Sequence, residues 1–144
     1  MRSKLLADEE FEKTWVLVFN TGDECMAGLL AFARKHSIEA AHFTAIGAFS
    51  RAGLGYFDWQ TRNYSRIPVE EQVEVVSLSG DIAMQEEEPK VHAHAALAKR
   101  GGVMVGGHLL EGHVRPTLEV VLTESPKHLE RRFDESSGIA LIRF

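Results

Sequence analysis

Only one stretch of this chain, Met26 to His36, carries a helical repeat; nearly everything else alternates at period two or runs in β-branched and aromatic residues between turn formers. That imbalance points to an α/β (α+β) fold: a largely antiparallel β-sheet with one main helix after the first strand. Glu12 to Asn20 (EKTWVLVFN) reads as the first strand, and Thr21-Gly22-Asp23 as a turn with a helix N-cap. In the helix, Met26, Leu29, Leu30 and Ala33 fall at i, i+3, i+4 and i+7, and Arg34, Lys35 and His36 place positive charge at the C-terminal end. Further strands are expected over residues 40–50, 52–58, a short stretch around Tyr64, then 72–83, 91–98, 103–110, 114–124 and 139–144. Residues 85–90, with three consecutive glutamates, read as a charged loop, and 126–132 as a short helix.

The 144 residues suit one domain spanning 1–144. No apolar run approaches the roughly 18 residues of a membrane helix, and the opening segment turns acidic too early for a signal peptide. A single cysteine, Cys25, makes no internal disulfide and reads as a reduced, half-buried thiol on the helix. The expected compartment is the cytoplasm, with no membrane partner. A formal net charge of −5 opposes non-specific attraction to nucleic acid, because phosphate binding draws on Lys and Arg releasing counterions. The pairs Lys99-Arg100 and Arg131-Arg132 read as solvated surface.

The chemistry concentrates in one segment. Val91-His92-Ala93-His94-Ala95-Ala96-Leu97 alternates strictly, so His92 and His94 share one face while Val91, Ala93, Ala95 and Leu97 take the other. In the next strand Val103, Val105 and Leu109 form the apolar face, leaving Met104, Gly106 and His108 opposite. If both apolar faces cover one core, His92, His94 and His108 emerge together. Three neutral imidazoles suit Zn²⁺ or another divalent transition metal, with the fourth position left to water or a carboxylate such as Asp58 or Glu119. An odd hairpin loop is required, either Lys99-Arg100-Gly101 or Arg100-Gly101-Gly102, which sets His108 opposite His92 or His94. Gly106 and Gly107 allow close approach there. His113 reads as a surface residue in a turn, and His36, His42 and His128 carry no assigned role. No G-x-S-x-G elbow, P-loop, dinucleotide fingerprint or H-E-x-x-H helix is present.

Taken in order, Thr44-Ala45-Ile46-Gly47-Ala48-Phe49, Leu54-Gly55-Tyr56-Phe57-Asp58, Val73 to Gly80, Val91-His92-Ala93-His94 and Gly106-Gly107-His108-Leu109 resemble the plant-and-prokaryote conserved (PPC) domain across nearly the whole chain. The resemblance implies an antiparallel-sheet α/β fold, a homotrimer, and a zinc site on the histidines matching His92, His94 and His108. The AT-hook that accompanies the domain in plants is missing, since no Arg-Gly-Arg-Pro occurs. The expectation is therefore a trimeric metal-binding domain of small-molecule or regulatory role, its ligand unnamed. Two alternatives stand beside it. One is a DNA-associated transcriptional regulator that assembles a basic surface from Lys99, Arg100, Arg115 or Arg131; the other is a metal-dependent hydrolase.

Overall fold

The computed structural model describes residues 1–9, 12–125 and 129–143. The chain opens with β1 (Arg2–Glu9), β2 (Glu12–Asn20) and α1 (Cys25–His36). Two long segments follow, β3 (Ala41–Asp58) with its short partner β4 (Asn63–Val69), and β5 (Val73–Gln85) with β6 (Glu88–Ala98). The longest strand, β7 (Met104–Glu124), precedes a terminal hairpin of β8 (Glu130–Asp134) and β9 (Ile139–Arg143). The family-like expectation of a mainly antiparallel sheet with one main helix holds.

Four strands close on themselves. β3 pairs with both β5 and β7, and β6 pairs with the same two, so antiparallel ladders run round a ring β3-β5-β6-β7. Closure removes the free edges these long strands would otherwise present. The inner face carries the apolar alternates, among them Phe43, Phe49, Leu78, Ile82, Leu97, Leu109, Leu118 and Leu122, all at most 1% exposed. Burial of each such side chain contributes about 1.5–3 kcal/mol relative to exposure. β2 extends the sheet beyond β7, and β1 forms the outer edge beside it.

Helix α1 packs against β6 and β7 through Cys25, Leu29, Phe32 and Ala33. Cys25 is fully buried rather than half-buried, and burial pushes its thiol pKa well up. The N-cap is Glu24, one residue later than the turn signal suggested. Its carboxylate accepts from the N–H groups of Met26 and Ala27 and also from Gly112 N on β7, at 2.9 Å. Asp23 instead accepts from Asn20 N and pairs with the Met1 ammonium.

Several expectations change. Residues 40–50 and 52–58 form one strand, β3, bent by register shifts, and 103–110 and 114–124 likewise merge into β7, which takes His113 out of a turn and into the sheet. Residues 130–132 lie in β8 and not in a helix; 126–128 fall outside the described residues. β1 was unexpected. Val103 is 63% exposed and belongs to the turn, so the apolar face of β7 starts at Val105. The charged stretch 85–90 resolves into a two-residue turn, Glu86-Glu87, with Gln85 opposite Glu88 and both strands running straight out of it.

That turn is built from residues that suit it poorly. Glu86 and Glu87 have φ of 52° and 66°, the left-handed pair that two-residue hairpins need and that Asn-Gly supplies at low cost. Replacement of Glu86-Glu87 by Asn-Gly is expected to raise unfolding stability by about 1 kcal/mol, measured by urea denaturation; an unchanged or lower midpoint would contradict the turn assignment.

Candidate metal centre

Strand β6 is paired on both sides, and the two registers place its outward residues. Across β5, His92 lies opposite Asp81 and His94 opposite Ser79. Across β7, His94 lies opposite His108. Directly opposed residues point to one face, so Asp81, His92, His94 and His108 all emerge on the outside of the ring. Inward, Ala93, Ala95 and Leu97 are buried, as the alternation required.

The turn behind this register is the odd one ending in Gly102. Lys99 N–H donates to Val103 O at 2.8 Å, enclosing Arg100-Gly101-Gly102, and both glycines have positive φ. Backbones run close at Gly106 and Gly107: an added Cβ would lie 2.9 Å from Ala95 O and 2.7 Å from Gly55 O respectively. The ladder passes through without a bulge.

The three rings form one cluster. Centroids of His92 and His94 are 5.1 Å apart, His92 and His108 4.9 Å, and His94 and His108 5.5 Å. One ring nitrogen from each lies within 4.8 Å of the others. A tetrahedral Zn²⁺ with Zn–N near 2.1 Å needs nitrogens about 3.4 Å apart, a contraction that side-chain rotation supplies.

Proton affinity fits a cation better than a proton here. Burial, and then the neighbouring His92 and His94, push His108 down to about 4. Burial and then His92 also lower His94. His108 Nδ1 is buried and, among the described residues, has no hydrogen-bond partner. Imidazoles packed together, two of them with lowered proton affinity, are the donor set a transition ion takes.

Behind the cluster sits an ion pair that the sequence did not disclose. Arg131, carried in by the β8–β9 hairpin, is 10% exposed and contacts Asp81 Oδ1 and Oδ2 at 2.7 and 2.9 Å through one nitrogen. The same nitrogen lies 3.1 Å from His92 Nδ1, and Asp81 Oδ2 is 3.7 Å from it. In the tautomer whose Nδ1–H points to Asp81, Nε2 is the His92 nitrogen left for an ion. Burial works to raise the Asp81 carboxyl, but hydrogen bonds from His92 and Arg131 outweigh it, and the group stays below the usual carboxylate range. Tyr64 of β4 completes the surround, its ring 5.0 Å from that of His108.

The carboxylates named from sequence are elsewhere. Asp58 caps the β3–β4 turn by accepting from Gln60 N and Thr61 N, and Glu119 faces Ile46 and Val18 in the sheet beyond. His36 packs between Trp15 and Phe32, and His113 lies 3.3 Å from Arg51. His128 is outside the described residues. Arg131, expected on the solvated surface, is largely withdrawn from solvent instead.

Comparison with known proteins agrees with this architecture. Residues 7–126 match the model of the Plants and Prokaryotes Conserved (PCC) domain. A metal-containing protein of Archaeoglobus fulgidus is 34% identical over 92% of this chain and 94% of its own, with a TM-score of 0.85. A plant- and prokaryote-conserved (PPC) protein of Pyrococcus horikoshii is 30% identical over 99% and 95%, TM-score 0.86. A Ralstonia eutropha protein whose name suggests DNA binding is 27% identical over 90% of each chain, TM-score 0.83. No curated protein matches the chain. Matched over most of its length and sharing its fold with relatives at 30% identity or more, the chain belongs to the plant-and-prokaryote conserved domain family.

Proposed function

We propose that this chain is a metal-binding domain of small-molecule or regulatory role, with Zn²⁺ or another divalent transition ion held by His92, His94 and His108. The observation that carries the reading is the convergence of three imidazoles, one held neutral down to about pH 4, on a single patch of the barrel's outer face. A relative at 34% identity is itself described as metal-containing. Bound on three histidines with a position open, such an ion supplies Lewis-acid chemistry. Asp81 holds His92 by its Nδ1 side, and Arg131 holds Asp81.

Against the hydrolase alternative, no carboxylate lines the cleft beside the cluster among the described residues. The DNA alternative is favoured by the name of the Ralstonia relative. Against it, two of its four basic residues are already paired, Lys99 with Glu71 at 2.9 Å and Arg131 with Asp81, in a chain of net charge −5. For compartment, the reduced and buried Cys25 favours the cytoplasm; among the described residues no helix is long and apolar enough to cross a membrane.

A homotrimer is the second part of the proposal. Ile46, Val76 and Val121 are 61%, 52% and 47% exposed on neighbouring strands β3, β5 and β7, an apolar stripe that a subunit contact would cover.

Purified protein is expected to carry about one transition-metal ion per chain, read by elemental analysis, and the double variant His92→Ala/His108→Ala to carry none. Full occupancy in that variant would end the three-histidine assignment. Asp81→Asn, which keeps the shape but weakens the hold on His92, is expected to lower metal affinity about 10–100-fold in chelator competition; unchanged affinity would remove Asp81 from the site. Light scattering at micromolar concentration is expected to give three times the chain mass, a monodisperse monomer being the contrary result.

A further inference from the structure

A cleft of about 420 Å³ opens beside the histidine cluster, at the lower end of the size range of small-molecule sites. Its ionisable lining is of one kind. His92, His108, Lys90 and Arg131 reach it, with the phenol of Tyr64 as the remaining titratable group and no carboxylate among the described lining residues. Asp81 lies behind Arg131, where it neutralises that guanidinium, and no ion pair is described for Lys90, which is exposed two residues from His92 on the same strand face. With Arg131 compensated and His108 neutral, Lys90 is the charge the lining itself presents, in a chain of net charge −5.

Apart from Gln85, the rest of the lining is apolar or aromatic. Ile139, Ala140 and Leu141 of β9 border the cleft, and the Tyr64 ring lies 5.0 Å from that of His108. A ligand that satisfies both sides has a compact apolar or aromatic body and a single anionic end. Inorganic phosphate would leave the apolar walls uncovered, and a neutral hydrocarbon would leave Lys90 and the cation on the histidines without a counter-charge.

We propose that the cleft binds a small organic carboxylate, its body against Tyr64, Ile139 and Leu141 and its carboxylate toward Lys90 and the histidine face. The proposal rests on the metal-binding reading and adds to it the class of ligand. Two features select for it. A carboxylate offers hard oxygens to a divalent ion that has a position open, and Lys90 adds a charge that an amide cannot use.

The test is calorimetric titration of the full-length, Co²⁺-loaded protein with 3-phenylpropanoate and, in parallel, with its neutral isostere 3-phenylpropanamide. Metal content and the visible spectrum are recorded on the same sample. The acid is expected to bind saturably and to perturb the Co²⁺ spectrum, with the amide at least about tenfold weaker. Lys90→Met is expected to weaken the acid about tenfold while leaving metal content unchanged. Metal-loaded protein that binds neither probe at concentrations on the order of 10 mM, or both equally, overturns the carboxylate assignment and leaves the metal site standing. A sample that takes up no Co²⁺ overturns the metal reading, and the ligand assignment falls with it.

Discussion

The ladder between β6 and β7 fixes where every chemically distinctive side chain of this molecule lies. With His94 opposite His108, the alternation of both strands sends three imidazoles outward and Ala93, Ala95, Leu97 and Leu109 into the core. A slip of one residue would bury histidine and expose leucine, so the hydrophobic effect that closes the barrel also assembles the cluster. The two demands share a single register. Gly106 and Gly107 serve it by letting the neighbouring backbones approach where any Cβ would crowd a carbonyl oxygen.

Outside the ring, the described ties of the β8–β9 hairpin to the sheet include one parallel bridge from Glu130 to Met84, the hydrogen bond of Met84 N to Leu129 O at 2.8 Å and that of Arg62 to Glu135 O at 3.3 Å. Arg131 anchors it. A guanidinium 10% exposed would be costly alone, and Asp81 offsets that cost through a charge-assisted contact while keeping hold of His92. The hairpin therefore carries one wall of the cleft, through Ile139 and Leu141, and also secures the histidine nearest to it.

The histidine cluster was legible because strict alternation in 91–97 and the apolar residues of β7 leave only an odd turn consistent with one core; that arithmetic left His108 opposite either His92 or His94, and the loop Arg100-Gly101-Gly102 in the structure selects the pair His94–His108. Asp81 escaped for a related reason. Once Glu86-Glu87 is taken as a two-residue turn, the register sets Asp81 opposite His92 with no further information. Acidic residues at left-handed positions hid the hairpin inside what looks like a solvated loop. β1 escaped because its pattern is almost wholly exposed, so no apolar face marks it; it exists by completing the backbone ladder of β2. Arg131 could not be placed from pattern at all, since an arginine on a short strand reads as surface until its carboxylate is located.

The central claim is that this register builds a three-histidine ion site. A crystal of the zinc-loaded protein, measured at the zinc absorption edge, tests it most directly through its anomalous difference map. The account predicts one peak per chain, about 2.1 Å from a ring nitrogen of each of His92, His94 and His108. Peaks confined to other residues, or none between these rings, would contradict it.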